Sequence, residues 1–349
     1  KQRIHSIYIL FLLSIDGHEL SMSTYNSMFS IHFLTSKYGI CWLFVFISIS
    51  SVAQGQDSIQ TKQKEIRLVI ENDVFTSFYR DQYYTSGIFL HYRWLAANQI
   101  AKRKMIRSAS FHQSIYTPEL VSWDDPSKFD RPYAGVLAAY FSQEYYMDLG
   151  HYLKVTVEMG IIGPRTHTDD FQIKWHTFLN IPVPAGWKYQ IGNAPIINLH
   201  GIYARQLAHG TYSDLISETR ISLGTTFNSA SEDLVLRLGR LDNFKSSTHY
   251  NGRLGLKWQE VADKKPIETY LFLAIGLQYQ VYNATIEGNL IGADSPHTEI
   301  AKDWMVQKRI GLTLSWSTFD LVTVYHFSSP ETTKAKAHQY VSVNINKRF

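Results

Sequence analysis

The chain has 349 residues, a formal net charge of +4 and a single cysteine. Its length suits one large domain or two ordinary ones, and so small and dispersed a charge does not predict a nucleic-acid partner. One cysteine excludes an internal disulfide framework and a cysteine-based zinc site. Tyr (22) and Phe (19) are abundant and only 18% of the residues are charged, which favours a β protein with amphipathic or aromatic surface over a polar helical one.

The first element in chain order is a segment with the layout of a secretory signal peptide, at residues 34–55. The basic Lys37 precedes an apolar run from Ile40 to Val52, and the small residues Ser51-Val52-Ala53 form its exit. This order of charge, apolar run and small residues is typical of a cleaved leader. The alternative is a retained transmembrane anchor, but the run is shorter than the ~18 residues that a spanning helix needs.

Met28 and Cys41 refine this interpretation. Met28 would begin a leader of conventional length, so we interpret residues 1–27 as upstream sequence. Cys41 lies inside the apolar run rather than at its exit, which argues against a lipoprotein. We therefore expect residues 1–53 to be removed and residues 56–349 to form the mature domain.

The mature chain alternates apolar and polar residues with a period of two, the pattern of β-strands. In residues 65–73, for example, Ile66, Leu68 and Ile70 alternate with charged side chains. The pattern predicts about twelve strands of roughly ten residues, a length that suits tilted strands in a membrane. They lie at 64–73, 85–95, 108–117, 134–147, 152–163, 196–208, 215–227, 233–242, 268–284, 306–317, 319–328 and 338–349.

Two architectures fit alternating strands, a soluble β-sandwich and a transmembrane antiparallel β-barrel. Aromatic residues near the strand ends, such as Tyr92, Trp94 and Trp316, resemble the interface girdles of a barrel. The final strand, "YVSVNINKRF", ends in Phe349 and resembles the signal by which the barrel assembly machinery selects its clients. With the leader, this favours a monomeric barrel of about 12 strands in the outer-membrane lipid bilayer of a bacterium.

Polar residues at the first two strand ends form a candidate site. An even-stranded barrel has both termini in the periplasm, so the first strand runs outward and ends in Asn72-Asp73, while Thr85 opens the second. By parity, Asp73 and Thr85 lie on the inner side and Asn72 on the lipid side, unless a bulge rotates it. Asn-Asp at a strand end is also common turn chemistry, and that alternative stays open.

The connection 164–195 joins the same outer rim, because the fifth strand also runs outward. Thr168 or Asp169 can cap a short helix there, on which Gln172 and His176 would share one face at spacing i, i+4. A histidine can act as a general base toward water, since its pKa lies near neutrality. A lone histidine on a loop helix is, however, more often solvated than catalytic.

Seven short motifs in this order resemble the outer-membrane lipid A 3'-O-deacylase family, the LpxR family. They are "ENDVF" (71–75), "YYTSG" (83–87), "IYTP" (115–118), "FDRPYAG" (129–135), "IIGP" (161–164), "QIKWH" (172–176) and "GWKYQIGN" (186–193). The resemblance covers most of residues 65–210, and more loosely the later strands to Phe349.

The resemblance implies a twelve-stranded barrel with its site at the outer-leaflet side, between the wall and a short helix, and lipid A of lipopolysaccharide as substrate. Residue by residue, it implies catalytic roles for Asn72, Asp73, Thr85, Gln172 and His176. By analogy with phospholipase A2, Ca²⁺ held near Asp73 would polarise the ester carbonyl while His176 activates water. Hard oxygen ligands and Lewis-acid chemistry fit that ion.

One departure from the family pattern concerns the substrate headgroup. After "IYTP", where characterised members place a Lys-Arg pair, this chain has Trp123-Asp124-Asp125. Lys128 and Arg131 could supply the positive charge instead. Arg131 suits a structural ion pair with a barrel carboxylate equally well, because charges inside a barrel need partners.

Three classes of function remain from the sequence. The first is a lipid A ester hydrolase, the second another outer-membrane acyl hydrolase that acts on glycerophospholipid, and the third a non-enzymatic barrel that serves as a channel or scaffold. The sequence does not identify the acyl chain that is removed.

Overall fold

A computed structural model describes the chain at residues 4–9, 29–35, 41–47, 60–76, 81–97, 103–258 and 267–349. The chain divides into two compact units, residues 1–58 and 59–349. In the first unit, strands β1 (Ile4–Ile9), β2 (Phe29–Thr35) and β3 (Cys41–Ile47) form an antiparallel sheet in that order. The predicted leader exit at residues 51–53 lies outside the described residues, so the leader stays a prediction.

The second unit is built around a closed antiparallel barrel of twelve strands. A separate two-stranded ribbon joins β4 (Gln60–Thr61) to β13 (Lys257–Trp258). The barrel strands are β5 (Lys64–Asn72), β6 (Tyr83–Leu95), β7 (Lys104–Thr117), β8 (Ala134–Met147), β9 (His151–Ile162), β10 (Ala194–His209), β11 (Ser213–Gly224), β12 (Phe227–Arg240), β14 (Glu268–Asn283), β15 (Trp304–Ser315), β16 (Phe319–Ser328) and β17 (His338–Arg348). Each strand pairs with the next, and β17 pairs with β5 to close the cylinder.

The barrel prediction is confirmed, and the burial of side chains shows why a sandwich does not fit. Phe111 and Phe141 point away from the lumen and are 53% and 51% exposed. Charged side chains such as Arg93 and Glu158 are instead buried inside. An apolar outside around a polar inside is the reverse of a soluble protein and is the arrangement of a membrane barrel.

Aromatic pairs mark both rims of the apolar band. At the end that carries the two barrel termini, the rings of Tyr92 and Trp94 lie 5.7 Å apart. At the opposite end, which we call the outer end, Tyr279 and Trp304 lie 4.8 Å apart. These two levels agree with the aromatic girdles of membrane barrels.

Hydrogen bonds and ion pairs fill the lumen near the termini. Arg93 lies 2.5 Å from Glu65 and 2.9 Å from Glu144, so the buried charges satisfy one another. The connection after β12 enters the lumen, where the carbonyl oxygen of Asn251 accepts hydrogen bonds of 3.1 Å from Arg93. Two cavities of about 340 and 350 Å³ lie along the lumen.

The outer end carries the connections that position the candidate site. They include residues 73–76 and 81–82 after β5, 118–133 after β7 and 163–193 after β9. The last of these contains the predicted short helix, α1 (Thr168–Leu179), and a second helix, α2 (Ala284–Glu287), follows β14. Within the described ranges, no helix combines the length and apolar character that crossing a membrane requires.

Candidate active site

Helix α1 rests on the outward face of the barrel wall because Gly135 lets it approach closely. A side chain on Gly135 would come within 2.5 Å of the Thr166 hydroxyl oxygen and 2.6 Å of Thr168 Cβ. Gln113, which shares the outward parity of Phe111 on β7, donates its amide to Thr168 Oγ1 over 3.1 Å. The motif "FDRPYAG" thus ends in Gly135, the glycine that allows α1 to pack closely against the wall.

The ends of α1 follow from local backbone chemistry. Asp169 and Asp170 lie in its first turn, where negative charge is favourable to the helix dipole. At its other end, Asn180 adopts the left-handed conformation and donates its N–H to the last carbonyl groups. The predicted cap at Thr168 or Asp169 was wrong: the N-cap is His167, without a side-chain cap.

Gln172 and His176 share the buried face of α1, as their spacing predicts. Both side chains converge on one carboxylate, that of Asp81, which lies just before β6. His176 Nε2 is 2.6 Å from Asp81 Oδ2, and Gln172 donates its Nε2 to the same oxygen over 3.1 Å.

Trp187 orients the Gln172 amide. The indole N–H of Trp187 donates to Gln172 Oε1 over 2.9 Å, so the Nε2 group of Gln172 turns toward Asp81. Trp187 belongs to a buried cluster with Ile115 and Tyr133. Ile115 lies on the outward face of β7, so this cluster covers the outside of the wall at the outer end.

The proton positions on His176 follow from its two hydrogen bonds. Nδ1 lies 2.6 Å from the carbonyl oxygen of Pro182, which can only accept, so Nδ1 carries a proton. Burial lowers the pKa of His176, but the hydrogen bond and charge of Asp81 outweigh burial and raise the pKa above its ordinary value. In the arrangement shown, Nε2 therefore shares a second proton with Asp81.

Asp73 follows directly after β5, and the residue is 2% exposed. Its Oδ2 accepts the N–H of Gln82 over 2.7 Å, whereas its Oδ1 is buried and has no hydrogen-bond partner among the described residues. Burial, followed by the charge of Asp81, raises the pKa of Asp73 well above its ordinary value. A buried, unsatisfied carboxylate oxygen beside a second carboxylate is a position that a cation would stabilise.

Thr85 shows where the parity prediction was wrong. The pairing of β6 with β7 shifts register between Tyr84 and Ser86. The bulge turns Tyr84 toward the lumen, where its hydroxyl donates to Glu71 over 2.5 Å. The Thr85 hydroxyl lies 2.7 Å from that of Thr117, which has the outward parity of β7. Thr85 therefore lies on the outward face of the wall and not on the lumen side, beneath the connections of the outer end.

Asn72 keeps the outward parity that was expected of it. Its Oδ1 accepts the N–H of Val74 over 2.8 Å, an Asx turn that directs the chain away from β5. The next residue, Asp73, donates its N–H to the carbonyl oxygen of Thr85 over 3.2 Å. The geometry of Asn72 therefore matches the turn alternative, and its catalytic role stays a prediction.

The two predicted headgroup residues lie in different environments. Arg131 is fully buried, pairs with Glu331 and donates to the Thr285 hydroxyl over 3.0 Å. This is the structural ion pair that the sequence left open as the alternative. Lys128 is exposed and lies 3.8 Å from the carboxylate three residues before it, so it is the one of the two that could meet a lipid headgroup.

Asp81 was missed by the sequence reasoning because it lies in a connection, where no periodicity marks it. Across the described ranges, no group of three or more His, Cys, Asp or Glu side chains is arranged to hold a metal ion. The carboxylate oxygen that the described part of the site leaves unpaired for a cation is Oδ1 of Asp73. Calcium, which takes oxygen ligands from carboxylates, carbonyls and water, fits this donor.

Comparison with known proteins gives one family. A family model described as outer membrane protein LpxR matches residues 40–349. No curated protein sequence matches the chain.

Solved structures match the chain to different degrees. LpxR from Salmonella typhimurium superimposes with a TM-score of 0.66 at 17% identity, over 82% of this chain and 100% of that one. The beta domain of the Bordetella autotransporter BrkA gives 0.43 at 10% identity, over 83% and 100%. An outer membrane channel from Pseudomonas putida F1 gives 0.41 at 10% identity, over 86% and 100%. At such identities the first likeness concerns the fold.

Proposed function

The chain belongs to the LpxR family of outer membrane proteins, and we propose that it is a lipid A deacylase that hydrolyses an ester-linked acyl chain of the 3'-O-acyloxyacyl type in the outer leaflet. One observation carries the proposal beyond family membership. His176 and Gln172 are buried together on a polar cluster outside the barrel wall, at the outer end. The cluster lies on the lipid side of the wall, so a membrane lipid would approach it without entering the lumen.

The side chains of the cluster suit hydrolysis by water. The carbonyl oxygen of Pro182 fixes the proton of His176 on Nδ1, so Nε2 is the atom that can take a proton from water. Before it can act, Nε2 must release to solvent the proton that lies between it and Asp81. The Nε2 group of Gln172 lies at the same point and can donate to the substrate or orient the water.

Calcium fits the site through the unsatisfied Oδ1 of Asp73. When bound there, the ion would polarise the ester carbonyl and stabilise its oxyanion, the Lewis-acid chemistry expected of a metal in ester hydrolysis. Asp73 also positions the neighbouring connection, since its Oδ2 holds the N–H of Gln82.

The two other classes of function have less support. A glycerophospholipid hydrolase could use the same His176, so only the substrate separates it from a lipid A deacylase. A channel would need an open lumen, but the connection after β12 enters the lumen near the termini, where Arg93 donates to the carbonyl oxygen of Asn251.

Mass spectrometry of lipid A tests the proposal. Lipid A extracted from cells that produce the protein should lack one ester-linked acyl chain. Lipid A from cells that produce a His176→Gln variant should keep that chain. Chelation should abolish hydrolysis by the purified protein, and excess calcium should restore it. Unchanged lipid A together with cleaved glycerophospholipid would favour the second class, and no hydrolysis of either would favour the third.

A further inference from the structure

Asp81 occupies the centre of the polar cluster, although nothing in the strand pattern marks it. Its carboxyl side chain is 8% exposed, and it contacts two of the three buried polar side chains of α1, those of Gln172 and His176. Both of these contacts use Oδ2. The second oxygen, Oδ1, is therefore not committed to the helix.

The chain next to Asp81 binds Asp73. The N–H of Gln82, the residue directly after Asp81, donates to Asp73 Oδ2 over 2.7 Å, which holds the two acidic residues side by side. Within the part of the chain that the structure describes, the remaining oxygen of Asp73 is buried without a hydrogen-bond partner. Buried polar atoms are rarely left unsatisfied, so a buried carboxylate oxygen of this kind points to a bound ligand of positive charge.

We propose that Asp81 is the second carboxylate ligand of the divalent cation held by Asp73. The inference rests on the proposed function, because it concerns the cation of the same site. Two carboxylates would neutralise the charge of a divalent cation, and water and the substrate ester can complete the oxygen ligands that calcium takes. Gln172 donates to the same carboxylate and would hold it in place.

The alternative role for Asp81 is to orient His176 alone, as a positioning residue. The two roles differ in what removal of the carboxylate does to cation affinity. If Asp81 only orients the histidine, its loss lowers activity and leaves calcium binding unchanged. If Asp81 is a ligand, its loss weakens binding in the absence of any substrate.

Isothermal titration calorimetry, with calcium chloride added to the full chain in detergent micelles, distinguishes a ligand role of Asp81 from a positioning role. We expect one calcium ion to bind the parental protein. Asp81→Asn should raise the dissociation constant at least about tenfold, because the number of carboxylate ligands sets calcium affinity. The control is Asp170→Asn, which changes an exposed carboxylate on α1. This variant should bind calcium as tightly as the parental protein does. Heat-modifiable migration confirms that each barrel is folded.

The possible results separate the calcium role from the ligand role of Asp81. No binding to the parental protein would overturn the calcium role in the proposed function. Parental binding that Asp81→Asn retains would overturn the ligand role of Asp81 alone and leave the calcium role intact. If Asp81→Asn does not assemble, Asp81→Ser also removes the carboxylate and serves in its place.

Discussion

The indole N–H of Trp187 lies 2.9 Å from Oε1 of Gln172 and so determines which end of that amide faces Asp81. Trp187→Phe would keep an aromatic ring in the cluster and remove only this bond. A neutral hydrogen bond contributes about 0.5–1.5 kcal/mol, so we expect deacylation to slow by roughly two- to tenfold. Initial rates on lipid A micelles would measure the loss.

Trp123→Phe provides the control for this change, since Trp123 packs against the same aromatic cluster and has no bond to Gln172. It should leave the rate close to parental. Equal losses in the two variants would show that ring packing, and not the bond to Gln172, accounts for the effect of Trp187.

Replacement of His176 tests the proposed base. Removing a general base typically costs about 10² to 10⁴ in rate, so His176→Gln should lower deacylation at least about a hundredfold while the barrel still assembles. The matched control is His167→Asn, because His167 is an exposed histidine at the start of the same helix and has a left-handed backbone that asparagine tolerates. Near-parental turnover by His176→Gln would reject the mechanism.

Asp73 gives a prediction for stability against pH. Burial raises its pKa well above the ordinary value of 3.8, so the folded state holds a proton that the unfolded state releases. Stability therefore falls as pH rises from near 3.8 through the raised pKa. Asp73→Asn lacks this titration. In calcium-free detergent, the parent should lose urea resistance relative to Asp73→Asn over that pH window.

Added calcium should reverse the order of these two proteins at neutral pH. A ligand that binds only the folded state stabilises it, and the ion requires an ionised Asp73, so the parent alone should gain urea resistance. If both proteins respond equally to calcium, Asp73 is not a ligand. Magnesium at the same concentration controls for ionic strength.

Arg131 and Lys128 separate a structural cation from one that could contact the headgroup. Removing one partner of a buried ion pair costs about 3–5 kcal/mol, so Arg131→Ala, which leaves Glu331 unpaired, should strongly lower the urea midpoint. Lys128→Ala should leave stability unchanged because its side chain is exposed. Parental stability of Arg131→Ala would contradict the ion-pair assignment.

The strands, and the placing of Gln172 and His176 on one face of a helix, were predictable because each depends on a repeating pattern. Alternation along β8 fixes which side chains face lipid, and its predicted bounds, 134–147, agree with the structure. The i, i+4 spacing likewise places Gln172 and His176 on one face of α1. Both features follow from local backbone geometry, so sequence alone suffices.

The remaining parts of the site depend on contacts between distant segments. The bulge at Thr85 breaks the alternation by one residue, and a pattern of period two carries no sign of where such a break falls. Asp81 gains its importance only when its connection folds against α1. The partner of Arg131 lies between β16 and β17, which no local motif indicates.

Phe349 tests the closure of the barrel. Its N–H donates to the carbonyl oxygen of Lys64 over 2.9 Å, and its carbonyl oxygen accepts the N–H groups of Gln63 and Lys64 at 3.2 and 3.1 Å. The Phe349 backbone thus extends the pairing of the last strand with the first, while its ring is half exposed toward the membrane. Deleting Phe349 removes these backbone bonds at an edge that must close, since an open strand edge in lipid leaves polar groups unsatisfied. Phe349→Ala keeps the backbone and removes only the ring. We therefore expect deletion to reduce the heat-modifiable, folded fraction in the outer membrane more than Phe349→Ala does. Equal defects in the two variants would show instead that recognition of the aromatic ring during assembly, and not closure by the backbone, is the step that requires Phe349.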